Sequence, residues 1–197
     1  SYGSAELMLI AGLSGVGKTA VVNEVHKPIT QRHGYFIRGK FDQFNRNIPF
    51  SAFVQSFRSL MDQLLGESDA QLAHWKHKIL NAVGEDGQLL IEVIPELETI
   101  IGVQPPVVAL TGSAAQHRFN SILIKFVQVF TTFDHPLVLF LDDLQWADSA
   151  SLALLSLLLG ESASETGYLL VLGAYRDNEV FPAHPLIQTL NTIDTSN

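Results

Sequence analysis

The chain has no cysteine, which excludes disulfide frameworks, thiolate zinc sites and cysteine nucleophiles and fits a reducing compartment. Positive charge is also scarce: 12 Lys and Arg face 20 Asp and Glu, for a formal net charge of −8. Long-range attraction to nucleic acid or to an anionic membrane surface therefore has the wrong sign. No apolar run approaches the ~20 residues that cross a bilayer, and the N-terminus lacks the basic, apolar, small-residue order of a secretory signal. The sequence reads as cytoplasmic, with neither nucleic acid nor membrane among its expected partners. It has no internal repeat and no low-complexity tract. It begins at Ser1 and stops at Thr195-Ser196-Asn197 without a closing element, so a piece of something longer is expected.

Apolar sequence is plentiful. Over 197 residues it makes up 47%, enough to fill the core of one sizeable domain. Leu7 to Ala11 is a short, fully apolar run bounded by glycine, the pattern of a buried strand in a parallel sheet. Helical spacing of Val21, Val22 and Val25 predicts a helix from Lys18 to about Pro28, where the missing N–H and the ring favour an end. Tyr35 to Phe41 reads as a second strand. Behind Ser51 as N-cap, Phe53, Phe57, Leu60, Met61, Leu64 and Leu65 share one helix face. Helices are expected near Asp69 to Val83, Leu89 to Ile101 and Arg118 to Phe133, with 66–113 a mostly helical insertion. Leu137 to Leu141 reads as a central strand ending in Asp142-Asp143. A helix capped by Asp148 or Ser149 runs to Leu159, and Tyr168 to Ala174 is the fourth strand. Strands alternating with helices imply a parallel sheet covered on both faces.

The stretch Gly12-x-x-x-x-Gly17-Lys18-Thr19 lies between the first strand and the first helix, which is the place and the pattern of a phosphate-binding P-loop. Backbone N–H groups from Ser14 to Thr19 can converge on phosphate oxygens, and a side chain at Gly15 or Gly17 would obstruct the turn. The helix N-terminus adds its dipole and its unbonded N–H groups. Lys18 brings a full charge that can reach the terminal phosphates, and the Thr19 hydroxyl can ligate Mg²⁺. The residues expected around the nucleotide are Gly12, Ser14, Gly15, Val16, Gly17, Lys18, Thr19 and Ala20. The plainer alternative is a glycine turn that only caps a helix.

A magnesium nucleotide needs a second anchor, and the apolar strand ending in Asp142-Asp143 supplies one of Walker B type. Asp142 is assigned to Mg²⁺, and Asp143 to polarising the attacking water. Aspartate is one methylene shorter than the glutamate common at that place, so slow hydrolysis is expected. Arg176 follows the fourth strand and should emerge on the same rim, where a guanidinium can sense a γ-phosphate. Its alternative is a salt bridge to Asp177 or Glu179. His74 and His77 share a helix face without an acidic third ligand and read as solvated. Trp146 reads as packing, and Arg118 as a helix-surface residue rather than a finger on phosphate.

With these residues in view, the chain resembles the AAA/STAND group of P-loop ATPases, and specifically the AAA-type domain found inside large multi-domain sensor kinases. "GYFIRGKFDQFNRNIPFSAFVQSFRSLMDQLL", "PLVLFLDDLQWADSASL" and "LLVLGAYRDNEV" carry the resemblance, which covers nearly the whole chain. It implies a three-layer α/β P-loop NTPase fold of AAA/ASCE type, with residues 1–197 as one core domain lacking the C-terminal lid. It also implies ATP or ADP with Mg²⁺, kinase-like and sensor domains as neighbours on the same polypeptide, and self-association in some members. Gly12 to Thr19 match its Walker A loop, Asp142 and Asp143 its Walker B pair, and Arg176 its sensor arginine.

Two functions from different classes follow. The leading one is an ATP- and Mg²⁺-dependent regulatory ATPase acting as a nucleotide switch. The other is a non-hydrolysing scaffold in which bound nucleotide is structural. A small-molecule phosphotransferase would need an arginine-rich acceptor lid, and 66–113 contains no arginine.

Overall fold

The structure, a computed structural model, describes residues 3–160 and 166–196. They divide into two compact units, Ser1–Ser56 with Thr131–Asn197, and Phe57–Phe130.

The first unit holds a four-stranded sheet of β1 (Glu6–Ala11), β2 (Tyr35–Lys40), β3 (Leu137–Asp142) and β4 (Leu169–Tyr175), in the spatial order β1-β4-β3-β2. All three neighbouring pairs are parallel, with Leu9 opposite Gly173, Leu141 opposite Gly173 on the other side, and Lys40 opposite Asp142. β3 is buried from Leu137 to Leu141, as a strand covered on both faces must be. Side chains alternate between the faces. On one, Val22 of helix α1 (Lys18–Gln31) packs with Phe36, Val138, Phe140, Leu172 and Ala174. On the other, Leu7 and Leu9 share a groove with Leu159 of α7 (Ser149–Leu159) and with Leu190 and Ile193 of α8 (Pro185–Ser196). The expected parallel α/β sheet flanked by helices is therefore present.

Three local expectations change. α1 continues past Pro28 to Gln31, because a proline in the final turn forfeits one backbone bond and the turn closes beyond it through Arg32 N–H and Gly34 N–H on the Ile29 carbonyl. Among the described residues β1 pairs on one side only, so its apolar run is largely exposed, with Met8 at 49% and Leu9 at 37%. α2 (Ser51–Leu65) starts at Ser51 itself and leaves Leu65 outside the buried face, while Ala52 and Ser56 join it. α7 is apolar nearly all round and buried accordingly. Asp148 is its cap, accepting from both Ser151 N–H (2.8 Å) and Ser151 Oγ (2.6 Å).

The second unit is helical. α3 (Asp69–Val83) spans its predicted range and is capped by Ser68. The single helix predicted from Leu89 to Ile101 is instead two, α4 (Gly87–Ile91) and α5 (Glu96–Ile101), since Pro95 disfavours helical backbone in the residue before it. α6 (Gly112–Val129) begins before Arg118 and stops short of Phe133, which is exposed. Trp75, Phe126 and Phe130 interlock, Trp75 and Phe126 each at just over 5 Å from Phe130, and Phe57 adds an edge against Phe126. Ile79 is fully buried in α3. Ile79→Val should cost about 1 kcal/mol, read as a lowered denaturant midpoint at unchanged slope when unfolding is followed by tryptophan emission.

Candidate functional site

Four parallel strands send the loops after their C-terminal ends to one edge of the sheet, the edge where open α/β sheets bind ligands. The order β1-β4-β3-β2 fixes what stands beside what. The P-loop leaves β1, Arg176 follows β4 next to it, Asp142-Asp143 end β3, and Lys40 ends β2. Gly12 N–H extends the ladder to the Tyr175 carbonyl (3.3 Å), so the P-loop starts directly alongside the Arg176 backbone.

Within the P-loop, Gly15 and Gly17 have φ of +79° and +98°, values that side-chain-bearing residues rarely adopt. A Cβ added at either would meet nothing within 4 Å. The glycines are required by backbone conformation, not by the crowding predicted from the sequence. Val16 N–H turns back to the Leu13 carbonyl (3.4 Å), whereas the N–H groups of Ser14, Gly15 and Gly17 have no acceptor among the described residues. They stand before the N-terminus of a 14-residue helix. This set of donors fits a polyphosphate. Lys18 Nζ donates to the carbonyls of Gly12 (2.7 Å) and Leu13 (2.9 Å), arching over its own loop. Ala20 N–H bonds the Gly17 carbonyl at 2.9 Å, inside the first helical turn. The Thr19 side chain, assigned to Mg²⁺ from the sequence, lies outside the described residues.

Asp142 is half-buried and accepts the Asp143 N–H on Oδ1 (2.9 Å). Asp143 is buried, 5% exposed, with φ of +55° in the left-handed region. Such strain in a non-glycine residue is characteristic of functional sites. Its carboxylate is closely held. Gln145 Nε2 donates to Oδ1 (2.9 Å), Arg176 Nε lies 3.3 Å from Oδ1, and Lys40 Nζ lies 3.4 Å from Oδ2. Gln145 also accepts the Arg176 backbone N–H on Oε1 (3.1 Å), tying the ends of β3 and β4 together.

The structure thus brings two of the predicted site residues, Asp143 and Arg176, into direct contact. Lys18 joins neither; its bonds go to its own loop. Arg176 also pairs with Glu179 (2.8 Å), the alternative weighed from the sequence, and lies 4.7 Å over the Trp146 ring. Lys40, Gln145 and Glu179 were not singled out as site residues. Lys40 was legible in principle, because the last residue of every strand in a parallel sheet reaches the same rim. Elsewhere, Arg118 is engaged by Asp86 and by the Val108 carbonyl within the helical unit. His77 bonds Asn81, and His74 sets its edge against Trp75.

A family model described as an AAA ATPase domain matches residues 1–172, a span that contains the P-loop and both aspartates and ends before Arg176. The chain belongs to the AAA ATPase domain family. It is similar to hybrid signal transduction histidine kinase G of Dictyostelium discoideum, 40% identical over 159 residues, and to histidine protein kinase 1 of Candida albicans, 25% identical over 169 residues. These cover 81% and 79% of this AAA domain, which spans only 5% and 7% of the two relatives. No solved structure matches it. Among the described residues no helix is long and apolar enough to cross a membrane.

Proposed function

We propose that this AAA domain is a nucleotide switch: it binds ATP with Mg²⁺, hydrolyses it slowly to ADP, and through the two states sets the arrangement of neighbouring domains. The observation that carries the reading is the rim, where a P-loop whose N–H donors lack acceptors among the described residues, a Walker B type acid pair and an arginine follow the ends of β1, β3 and β4. The two relatives named as histidine kinases support a place in signal transduction with a kinase domain on the same polypeptide; a sensor domain and a cytoplasmic location are part of the proposal. Residues 66–113 are read as a mostly helical insertion within the nucleotide-binding core. Self-association belongs to the same proposal.

In this mechanism the N–H groups of the P-loop and the Lys18 ammonium hold the β- and γ-phosphates and neutralise part of their charge. Thr19, by its place in the motif, and Asp142 would hold Mg²⁺, which when bound would supply positive charge to neutralise the phosphates. Asp143 accepts a hydrogen bond from the attacking water and orients it. Arg176 stabilises charge on the transferring phosphoryl group.

Asp143 is also what favours a second reading. Its carboxylate is bound by Gln145, Arg176 and Lys40, so a water must compete for it, and a scaffold that keeps its nucleotide without hydrolysis is consistent with that. Calorimetric titration with ATP, ADP and GTP, with and without Mg²⁺, together with phosphate release, decides. Asp143→Asn keeps the shape and tolerates the left-handed backbone. Under the ATPase reading its phosphate release falls at least tenfold while ATP affinity stays within about threefold. No release by either protein, with ATP and ADP still bound, establishes the scaffold instead. Absence of nucleotide binding overturns both.

A further inference from the structure

Arg176 does not stand alone on the rim. Its side chain is 26% exposed and is enclosed on three sides: Asp143 Oδ1 faces Nε at 3.3 Å, Glu179 Oε1 faces Nη1 at 2.8 Å, and the Trp146 ring lies under the guanidinium at 4.7 Å. Trp146 is itself fixed by the same glutamate, its Nε1–H donating to Glu179 Oε2 at 3.0 Å. One carboxylate therefore holds both the cation and the aromatic face beneath it. The backbone closes the ring, since Trp146 N–H bonds the Asp143 carbonyl (2.9 Å) and Glu179 N–H bonds the Arg176 carbonyl (3.1 Å).

The charges decide what this arrangement does. A guanidinium attracts a terminal phosphate when it carries uncompensated charge, and a carboxylate on either side compensates it. Asp143 is also neutralised by Lys40, at 3.4 Å. No cation other than Arg176 pairs with Glu179 among the described residues. Glu179 is thus the group whose charge a γ-phosphate must displace, or outcompete, to engage Arg176. ADP has no γ-phosphate and does not enter the competition.

We propose that Glu179, braced by Trp146, is a positioning residue that holds Arg176 and thereby sets how strongly the domain prefers ATP over ADP. The proposal rests on the nucleotide reading above and adds to it the residue that tunes discrimination. When a γ-phosphate engages Arg176, the cation leaves the Trp146 ring, so Trp146 reports the exchange.

The test compares the unsubstituted chain with Glu179→Gln and Trp146→Phe, measuring affinity for ADP and for a slowly hydrolysed ATP analogue with Mg²⁺, and tryptophan emission in each state. Glutamine keeps the length of the side chain and an oxygen for the indole N–H, so only the charge is lost. The ATP-analogue to ADP affinity ratio should rise about threefold to tenfold in Glu179→Gln, as expected for loss of a competing, partly exposed ion pair, with ADP affinity unmoved. Trp146→Phe, which removes the brace but not the charge, should raise it less. Trp146 emission, obtained as the difference between the unsubstituted chain and Trp146→Phe, should change with the ATP analogue and not with ADP. If both nucleotides bind and neither the ratio nor the emission moves, the role of Glu179 is overturned while the nucleotide site stands. If the unsubstituted chain binds neither nucleotide, the nucleotide reading itself fails and takes this role with it.

Discussion

Gly39→Val is expected to prevent stable folding of the sheet unit, and Gly39→Ala to lower its stability by about 3 kcal/mol, at the upper end of what overpacking costs. A Cβ at Gly39 would lie 1.9 Å from the Ala52 carbonyl oxygen and 2.5 Å from Ser56 Oγ. The first of these is backbone, so no rotamer change relieves it; α2 must move away from β2. Ala52 and Ser56 are completely buried at this approach, and Ser56 Oγ donates to the Ala52 carbonyl (2.8 Å). Next in the chain, Lys40 N–H on the open edge of β2 donates to Gln55 Oε1 (2.8 Å). A helix displaced to admit the methyl group gives up that bond and the positioning of Lys40 beside Asp143. The control is Gly66→Ala, whose added carbon meets nothing closer than 3.4 Å. Denaturant unfolding and circular dichroism of the three variants check the expectation. A midpoint for Gly39→Ala equal to that of Gly66→Ala would show that the helix yields without resistance.

That close approach illustrates which features could be read from residue order. The P-loop was legible because its spacing, its glycines and its flanking strand and helix all constrain the same few residues. β3 was legible because five consecutive apolar residues ending in two aspartates allow few other meanings. β1 reads as buried yet is largely exposed, since an apolar run has the same pattern whether a sheet neighbour lies on one side or on both. The split between α4 and α5 was hidden because the apolar residues keep helical spacing across Pro95, and periodicity does not register one forbidden backbone conformation. Gly39, within "FIRGKF", reads as an unremarked strand glycine until Ala52 lies against it. At the candidate site, the places of Asp143 and Arg176 after apolar strands single them out, and the structure sets the two in contact. Their contact, and the recruitment of Lys40, Gln145 and Glu179, depend on the strand order β1-β4-β3-β2, which no local pattern encodes.

The other large effect is expected at Lys18. Lys18→Ala should weaken binding of ATP and of ADP by more than about a hundredfold, the loss expected when a charge held directly against phosphate is removed from a cradle of neutral donors. Folding should hardly respond. The ammonium of Lys18 donates only to the carbonyls of Gly12 and Leu13, at a half-exposed site where water can replace it, so the stability change should stay within about 1 kcal/mol. Lys18→Arg separates charge from fit. A planar guanidinium keeps the charge but is bulkier, and its fork does not reproduce the compact ammonium, so affinity should recover only in part. Titration calorimetry with each nucleotide, paired with thermal unfolding, reads both quantities. Lost binding with an intact fold, together with loss of any phosphate release, supports the switch. Lost folding, with no release to lose in the unsubstituted chain, shifts Lys18 to a structural role and favours the scaffold. Unchanged affinity with an intact fold would mean that "GLSGVGKT" does not hold phosphate in this chain, whatever its sequence, its φ angles and its place at the end of β1.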